Sequence, residues 1–367
     1  MKCRPQEFLR HLKMNEKKPL PVGSVIGILG GGQLGRMLSI SASQLGFRTH
    51  IFDPNPKAPA KQVTNLSSNF DYKDKEALEN FANNVDVITF EFENIPVETL
   101  QTCQKITNVF PNVRSLSTCQ DRFTEKKFLH TMNIPSSPFV TAKSFNDILQ
   151  SVNTLDPPLI LKTCRFGYDG KGQKIIYSKE EIESAASEFN DTPVILEKLI
   201  DFKLEISTII CRDMNGKIAV FDPTENHHQN GILIQSKVPA NIPFSLASDA
   251  ILIASKIVNA LNYVGVMGVE FFVTKDNELL VNELAPRVHN SGHWTQSGCL
   301  INQFEQHIRA ISGWPIGSGK RHSNVLMQNV LGEEIKALTK NSDSSVNIYG
   351  KDDAREGRKM GHKNFVT

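Results

Sequence analysis

No two of the six cysteines stand close enough in sequence for a zinc ribbon or a redox pair, and none has a histidine at zinc-ligand spacing. Cys3, Cys103, Cys119, Cys164, Cys211 and Cys299 are scattered singly. That is the pattern of free thiols in a reducing compartment, not of a disulfide framework. Runs of about 18 apolar residues are also missing, so no segment reads as a membrane-spanning helix. Net charge is small, +2 on 367 residues, and gives no general field for a nucleic acid or a membrane surface. The first 20 residues are basic (Lys2, Arg4, Arg10, Lys13, Lys17, Lys18) but lack the apolar stretch of a secretory signal. Residues 1–21 therefore read as a disordered extension on a cytoplasmic protein. The G-x-x-x-x-G-K-[ST] spacing of a Walker loop is absent.

What is present is ordinary in bulk. Hydrophobic residues make up 40% and charged residues 22%, as in globular proteins, and the length suits two or three domains. An apolar run at 25–29 ends in Gly30-Gly31-Gly32. From Gln33 the apolar residues Leu34, Met37, Leu38 and Leu45 recur at helical spacing, and Gly46 follows as a stop. Strands are expected at 49–52, 85–90 and 109–111. This β-α-β order predicts a small α/β domain with a parallel sheet over 22–120. A helix over 121–132 is followed by Pro135 and Pro138. Further strands are expected at 159–162, 174–177, 194–197, 205–211, 217–221, 265–273, 279–284, 325–330 and 346–349. Helices are expected at 180–188, 248–261 and 304–311. They fall into a smaller domain, 121–200, and a larger one, 201–367, ending in a basic segment at 355–362.

Gly30-x-Gly32-x-x-Gly35 follows a strand and opens a helix, with Asp53 closing the next strand. That is the context of a dinucleotide fingerprint, whose exposed N–H groups attract an anion. Three readings stay open: a nicotinamide oxidoreductase, a bare tight turn, or a hold on another phosphorylated substrate with Gln33 reaching it. The first leaves the features downstream without a role.

Those features point to a nucleoside triphosphate. Lys162 ends a strand and is followed by a loop holding Gly167, Gly170 and Gly172 before the next strand. Glycines let backbone N–H groups approach phosphate oxygens, and such a loop can close as a lid. The segment Glu197-Lys198-Leu199-Ile200 is a strand end able to offer backbone groups to an adenine edge, and Glu205 can accept from ribose hydroxyls. Glu270 and Glu283, beside Asn282, flank one turn of an antiparallel pair. Paired carboxylates facing phosphates provide the hard oxygen ligands that magnesium requires. Glu270 lies in an otherwise apolar strand, where an unpaired carboxylate is costly.

Seven strings, in this order, carry a resemblance: GGGQLGR from Gly30, TFEFEN from Thr89, Asp121-Arg122, FGYDGKGQ from Phe166, ENHHQNGIL from Glu225, NELAPRVHNSGHWT from Asn282, and GRKMGH from Gly357. They resemble the 5-(carboxyamino)imidazole ribonucleotide synthetase (PurK) family of the ATP-grasp superfamily, from about residue 22 to the end. The resemblance implies an ATP-grasp fold of mixed α/β class: an N-terminal Rossmann-like pre-ATP-grasp domain, a small lid domain and a C-terminal domain. It implies ATP- and bicarbonate-dependent carboxylation of 5-aminoimidazole ribonucleotide, through carboxyphosphate, in purine biosynthesis. A rival within the superfamily, a ligase carrying formate or an amino acid, fits the string at 287–295 less well. A non-catalytic nucleotide-binding protein has no support, since the proposed acids and cations are all present.

Matched residue by residue, the resemblance implies that Arg122 and Lys162 contact phosphates. Gly167, Tyr168, Asp169, Gly170, Lys171, Gly172 and Gln173 form the lid loop. Glu197, Lys198, Leu199 and Ile200 hold adenine and Glu205 the ribose, with His228 and Asn282 also at the nucleotide; Glu270 and Glu283 hold magnesium. On the ribonucleotide side it implies Gln33 and Leu34, one of Glu91 and Glu93, and Tyr168 and Asp169 from the lid, with Lys351, Arg358 and Lys359 at the 5′-phosphate. Arg287, His289 and Asn290 surround bicarbonate and carboxyphosphate, and Lys162 assists the chemistry. His289 is read as positioning more than as transferring protons. The family implies a homodimer and a hand-over of product to a downstream mutase, with no nucleic acid or membrane as partner. Two departures stand out: the basic extension, and an end soon after Gly361-His362, where the resemblance implies a further helix.

Overall fold

β1 (Val25–Leu29) is buried at all five positions because it is the inner strand of a parallel sheet covered on both faces. Its neighbours are β2 (Arg48–Phe52) and β4 (Val87–Phe90), with β3 (Leu66–Ser68) at the edge, in the order β3-β2-β1-β4. Alternation divides its side chains. Ile26 and Ile28 pack with Leu34, Met37 and Leu38 of helix Gln33–Gln44, while Val25 and Leu29 pack with Leu78 and Phe81 of helix Lys75–Asn83. The computed structural model describes residues 18–142, 145–151, 154–167, 170–189, 192–340 and 343–367.

A second, antiparallel sheet is small and has its own core. It consists of β5 (Phe139–Ala142), β6 (Leu159–Thr163), β7 (Gln173–Ile176) and β8 (Val194–Lys198), ordered β5-β8-β6-β7. Leu159, Leu161, Leu196 and Ile182 fill the space beneath it. A nine-stranded antiparallel sheet forms the body. Its strands are β9 (Phe202–Arg212), β10 (Ile218–Val220), β11 (Thr224–Gln229), β12 (Ile232–Val238), β13 (Gly265–Thr274), β14 (Leu279–Ala285), β15 (Val325–Leu331), β16 (Ser345–Ile348) and β17 (Lys359–Val366). The order is β14-β13-β9-β11-β12-β15-β17-β16, with β10 paired to β9. The basic terminal segment thus belongs to this sheet through β15 and β17.

Two expectations change. Residues 109–111 give only a single bridge, Ile88 to Val109, because the chain turns at once into Pro111. Helix Arg122–Thr131, capped by the Asp121 carboxylate on Thr124 N–H at 2.9 Å, meets both sheets: Leu129 lies in the same core as Ile206, Met267 and Leu284, while Phe123 packs against Phe139 of β5 and Lys126 pairs with Glu197 of β8. The extension is anchored where it is described. Leu20 N–H donates to Ser312 O at 2.8 Å, and Trp314 Nε1–H donates to Leu20 O at 2.8 Å. Residues 1–17, read above as disordered, lie outside the described residues. No helix among the described residues is long and apolar enough to cross a membrane.

Candidate active site

Strand register brings the two acids together. Glu270 on β13 is the direct partner of Glu283 on β14, and the register slips immediately afterwards. Burial, and next the charge of Glu283, push the Glu270 carboxyl up to about 7. Two neighbouring carboxylates in a desolvated place favour a cation. His289 Nε2 lies 3.5 Å from Glu270 Oε1, and the ligand atoms of Glu270, Glu283 and His289 fall within 4.8 Å of one another. Arg122 Nη1 reaches Glu283 Oε2 at 3.5 Å.

Beside this pair is a buried charge knot. Glu197, at the end of β8, lies 3.2 Å from Lys162 Nζ and 3.3 Å from Lys126 Nζ, and accepts from Ser137 Oγ at 2.9 Å. Burial alone would raise the Glu197 carboxyl, but Lys162, Lys126 and Arg122 outweigh it and bring it down to about 2. Lys162 itself is lowered by burial, against the pull of Glu197. Lys126 also donates to the carbonyls of Val281 and Asn282, at 3.3 and 3.1 Å. Its neighbour Glu125 accepts the N–H of Leu284 at 2.9 Å, and burial pushes its carboxyl up to about 8. Lys126 and Glu125 therefore fix the strand that carries Asn282 and Glu283. The sequence reading missed both. The available signal was their helical spacing with Arg122 and Leu129, which puts all four on one face.

The groups expected at adenine are partly engaged within the protein. The Glu197 carboxylate is held by the two lysines. Lys198 Nζ donates to Asp156 O at 2.7 Å, and Leu199 N–H donates to Pro158 O at 3.1 Å. Glu205 and His228, on the neighbouring strands β9 and β11, pair with each other; burial opposes the charged ring, but Glu205 and Glu270 draw its pKa upward. The lid loop rests against the turn between β11 and β12 and near Arg122. A Cβ at Gly170 would lie 3.0 Å from Asn230 O, and one at Gly167 would lie 3.7 Å from Arg122 Nη2. Gly170 and Gly172 take φ of +77° and +69°, which favours glycine. Tyr168 and Asp169 lie outside the described residues.

On the opposite side the glycine turn is already filled. Glu91 accepts from Gly32 N–H at 2.8 Å and Gly35 N–H at 3.2 Å, and Asp53 accepts from Gly31 N–H at 2.7 Å. Asp53 also accepts from Tyr72 Oη at 3.0 Å. A Cβ on Gly32 would sit 2.5 Å from Glu91 Oε1. The chain's own carboxylates occupy the donors that a dinucleotide pyrophosphate would need. Gln33 is half-buried, and Leu34 packs in the core, which leaves only its backbone for a ligand. Glu93 is placed differently: it accepts from Arg287 Nε at 2.5 Å, and this guanidinium outweighs burial to lower its carboxyl.

The turn before the basic segment is fastened to the N-terminal domain through Gly350. Arg36 donates to Gln62 at 2.7 Å, and Gln62 donates to Gly350 O at 2.8 Å. Lys351 Nζ donates to Lys359 O at 2.7 Å, and Arg358 donates to Asp353 O at 2.8 Å. The Lys359 charge acts on Glu270, His228 and His289. Asn290 and Asn329 exchange amide hydrogen bonds of 3.0 and 2.8 Å.

The chain matches three family models: a ribonucleotide synthetase preATP-grasp domain over residues 24–120, an ATP-grasp domain over 127–304, and a phosphoribosylaminoimidazole carboxylase C-terminal domain over 325–367. It is 45% identical over 352 residues to N5-carboxyaminoimidazole ribonucleotide synthase of Brucella melitensis, covering 95% of this chain and 97% of that one. It is similar to a crystal structure of an ADP complex of N5-carboxyaminoimidazole ribonucleotide synthetase, with TM-score 0.93, 38% identity, and 96% and 94% of the two chains covered. The enzyme of Aspergillus clavatus, in complex with ADP and 5-aminoimidazole ribonucleotide, gives TM-score 0.88 at 29% identity, with 94% of each chain covered. The chain belongs to the N5-carboxyaminoimidazole ribonucleotide synthase family of ATP-grasp ligases.

Proposed function

We propose that the chain uses ATP and bicarbonate to carboxylate the amine of 5-aminoimidazole ribonucleotide, through carboxyphosphate, in purine biosynthesis. The observation that carries this reading is the arrangement around Glu270 and Glu283. Two facing carboxylates stand beside Arg122 and Arg287, and Lys162 and a glycine loop lie next to Arg122.

The donor set fits a divalent cation. The pair is of hard oxygens, and the burial and the repulsion by Glu283 that together raise Glu270 are offset by positive charge between the two. Magnesium held by Glu270 and Glu283 would supply charge neutralisation at the transferring phosphoryl group. Arg122 and Lys162 orient the phosphates. A bicarbonate oxygen attacks the γ-phosphorus and ADP leaves, giving carboxyphosphate. The substrate amine then attacks the carboxyl carbon; phosphate departs and the nitrogen loses a proton. Arg287, His289 and Asn290 line this second step, with Glu93 toward the ribonucleotide. Carboxyphosphate is short-lived in water, so the loop at 167–173 has to exclude solvent. Lys351, Arg358 and Lys359 hold the 5′-phosphate in this reading.

Isotopic bicarbonate tests it. Label should enter the ribonucleotide only when ATP is present, one carbon for each ADP formed. ADP formation with no label in the ribonucleotide would reject the acceptor. The homodimer and the hand-over to a mutase rest on the resemblance; sedimentation of the pure protein tests the first.

A further inference from the structure

Beneath the acid pair runs a line of hydroxyls that the reaction as described does not use. Ser207, on β9, is fully buried, and its Oγ–H donates to Ser291 Oγ at 2.6 Å. Ser291 lies in the single helical turn Asn290–Gly292 and is equally buried. Its Oγ is 2.8 Å from His289 Nδ1. At the far end of the ring, Nε2 is 3.5 Å from Glu270 Oε1.

Counting protons assigns the roles. Ser291 accepts from Ser207, so its own hydroxyl proton goes to His289 Nδ1. A proton on Nδ1 instead would aim two donors at Ser291 Oγ and bury the Ser291 proton without an acceptor. A neutral imidazole that accepts at Nδ1 carries its proton at Nε2. Nε2–H then faces the Glu270 carboxylate, the attractive sense; a lone pair there would repel it. The backbone is held as well: His289 N–H donates to Gln303 Oε1 at 2.9 Å, and Gln303 Nε2 donates to His289 O at 2.8 Å. Gly268 on β13 leaves room for the ring, since a Cβ there would lie 2.8 Å from His289 Cβ.

We propose that Ser291, backed by Ser207, is a positioning residue that fixes His289 as the Nε2–H tautomer, so that His289 donates a hydrogen bond toward Glu270 and is not a third ligand of a divalent cation. The catalytic consequence rests on the function proposed above; the tautomer does not.

Nitrogen-15 NMR of histidine-labelled, metal-free enzyme near neutral pH reads the tautomer directly, with His289 assigned by its loss in His289→Asn. The expected spectrum shows a neutral ring protonated at Nε2, retained when magnesium chloride alone is added. In Ser291→Ala the two tautomers mix, and kcat falls roughly ten- to a hundred-fold, as for other groups that orient a metal-site residue, with KM for ATP little changed. Ser207→Ala has a smaller effect of the same kind. A wild-type ring protonated at Nδ1, or one that loses its Nε2 proton to magnesium, overturns the proposal. The wild-type spectrum decides even if Ser291→Ala does not fold.

Discussion

Arg287 Nε and Glu93 Oε2 lie 2.5 Å apart although the residues are 194 positions apart in sequence. The pair joins the N-terminal domain to the loop after β14, and so, in the reaction proposed above, joins the ribonucleotide side of the site to the bicarbonate side. Both side chains are mostly buried, and removing one leaves the other as an uncompensated charge. Glu93→Ala is expected to cost about 3 kcal/mol of stability and to raise KM for the ribonucleotide. Urea unfolding together with steady-state kinetics measures both. Unchanged stability and kinetics would mean that the pair only decorates the site.

Glu125 gives a pH-dependent prediction. Its carboxyl is raised from 4.5 to about 8 in the folded chain, so the folded state binds the proton more tightly than the unfolded state. Stability from this group is full below about 4.5 and declines as pH rises through about 8. Glu125→Gln keeps an acceptor for Leu284 N–H and removes the charge. It should raise Tm at pH near 8 and make little difference near pH 4.5. Thermal melts across that window check the sign; a variant less stable at every pH would contradict it.

Glu197 behaves in the opposite sense. Its carboxyl is depressed from 4.5 to about 2. The knot with Lys126 and Lys162 therefore stabilises above about 4.5 and is lost as pH falls toward about 2. Lys126→Met should destabilise at neutral pH by about 3 kcal/mol, and that loss should shrink in acid. Equal losses at both ends of the range would remove Glu197 as the partner that matters.

For Glu283→Gln, turnover should fall by more than about a hundredfold, since phosphoryl transfer relies on electrostatic stabilisation. The circular dichroism spectrum should remain that of the folded protein. Full activity would take Glu283 out of the reaction.

Lys359→Ala separates two positions for this cation. At the ribonucleotide 5′-phosphate, its loss raises KM for the ribonucleotide more than for ATP, and that is the outcome we expect. The reverse pattern would place it with the nucleotide instead.

How legible the site was depended on what each residue looks like alone. β1 was readable because a strand covered on both faces is an unbroken apolar run. Glu270 was readable because a carboxylate interrupts such a run on β13. β11, with the sequence TENHHQ, was not read as a strand: it is polar on both faces because it serves the site and the lid turn. Lys126 and Glu125 were hidden for a related reason, since charges at helical spacing resemble a solvated face. Their partners, Glu197 and Leu284 N–H, come from distant strands. The choice between Glu91 and Glu93 was open in sequence because both follow one strand. Tertiary contacts separate them, tying Glu91 to Gly32 and Gly35, and Glu93 to Arg287.

The most direct test of the proposed reaction is ADP release from ATP and magnesium, with and without bicarbonate and with and without 5-aminoimidazole ribonucleotide. Release should be strongly stimulated by the ribonucleotide and should require bicarbonate. Release that ignores the ribonucleotide, or that proceeds equally well without bicarbonate, would contradict the reaction proposed for this site.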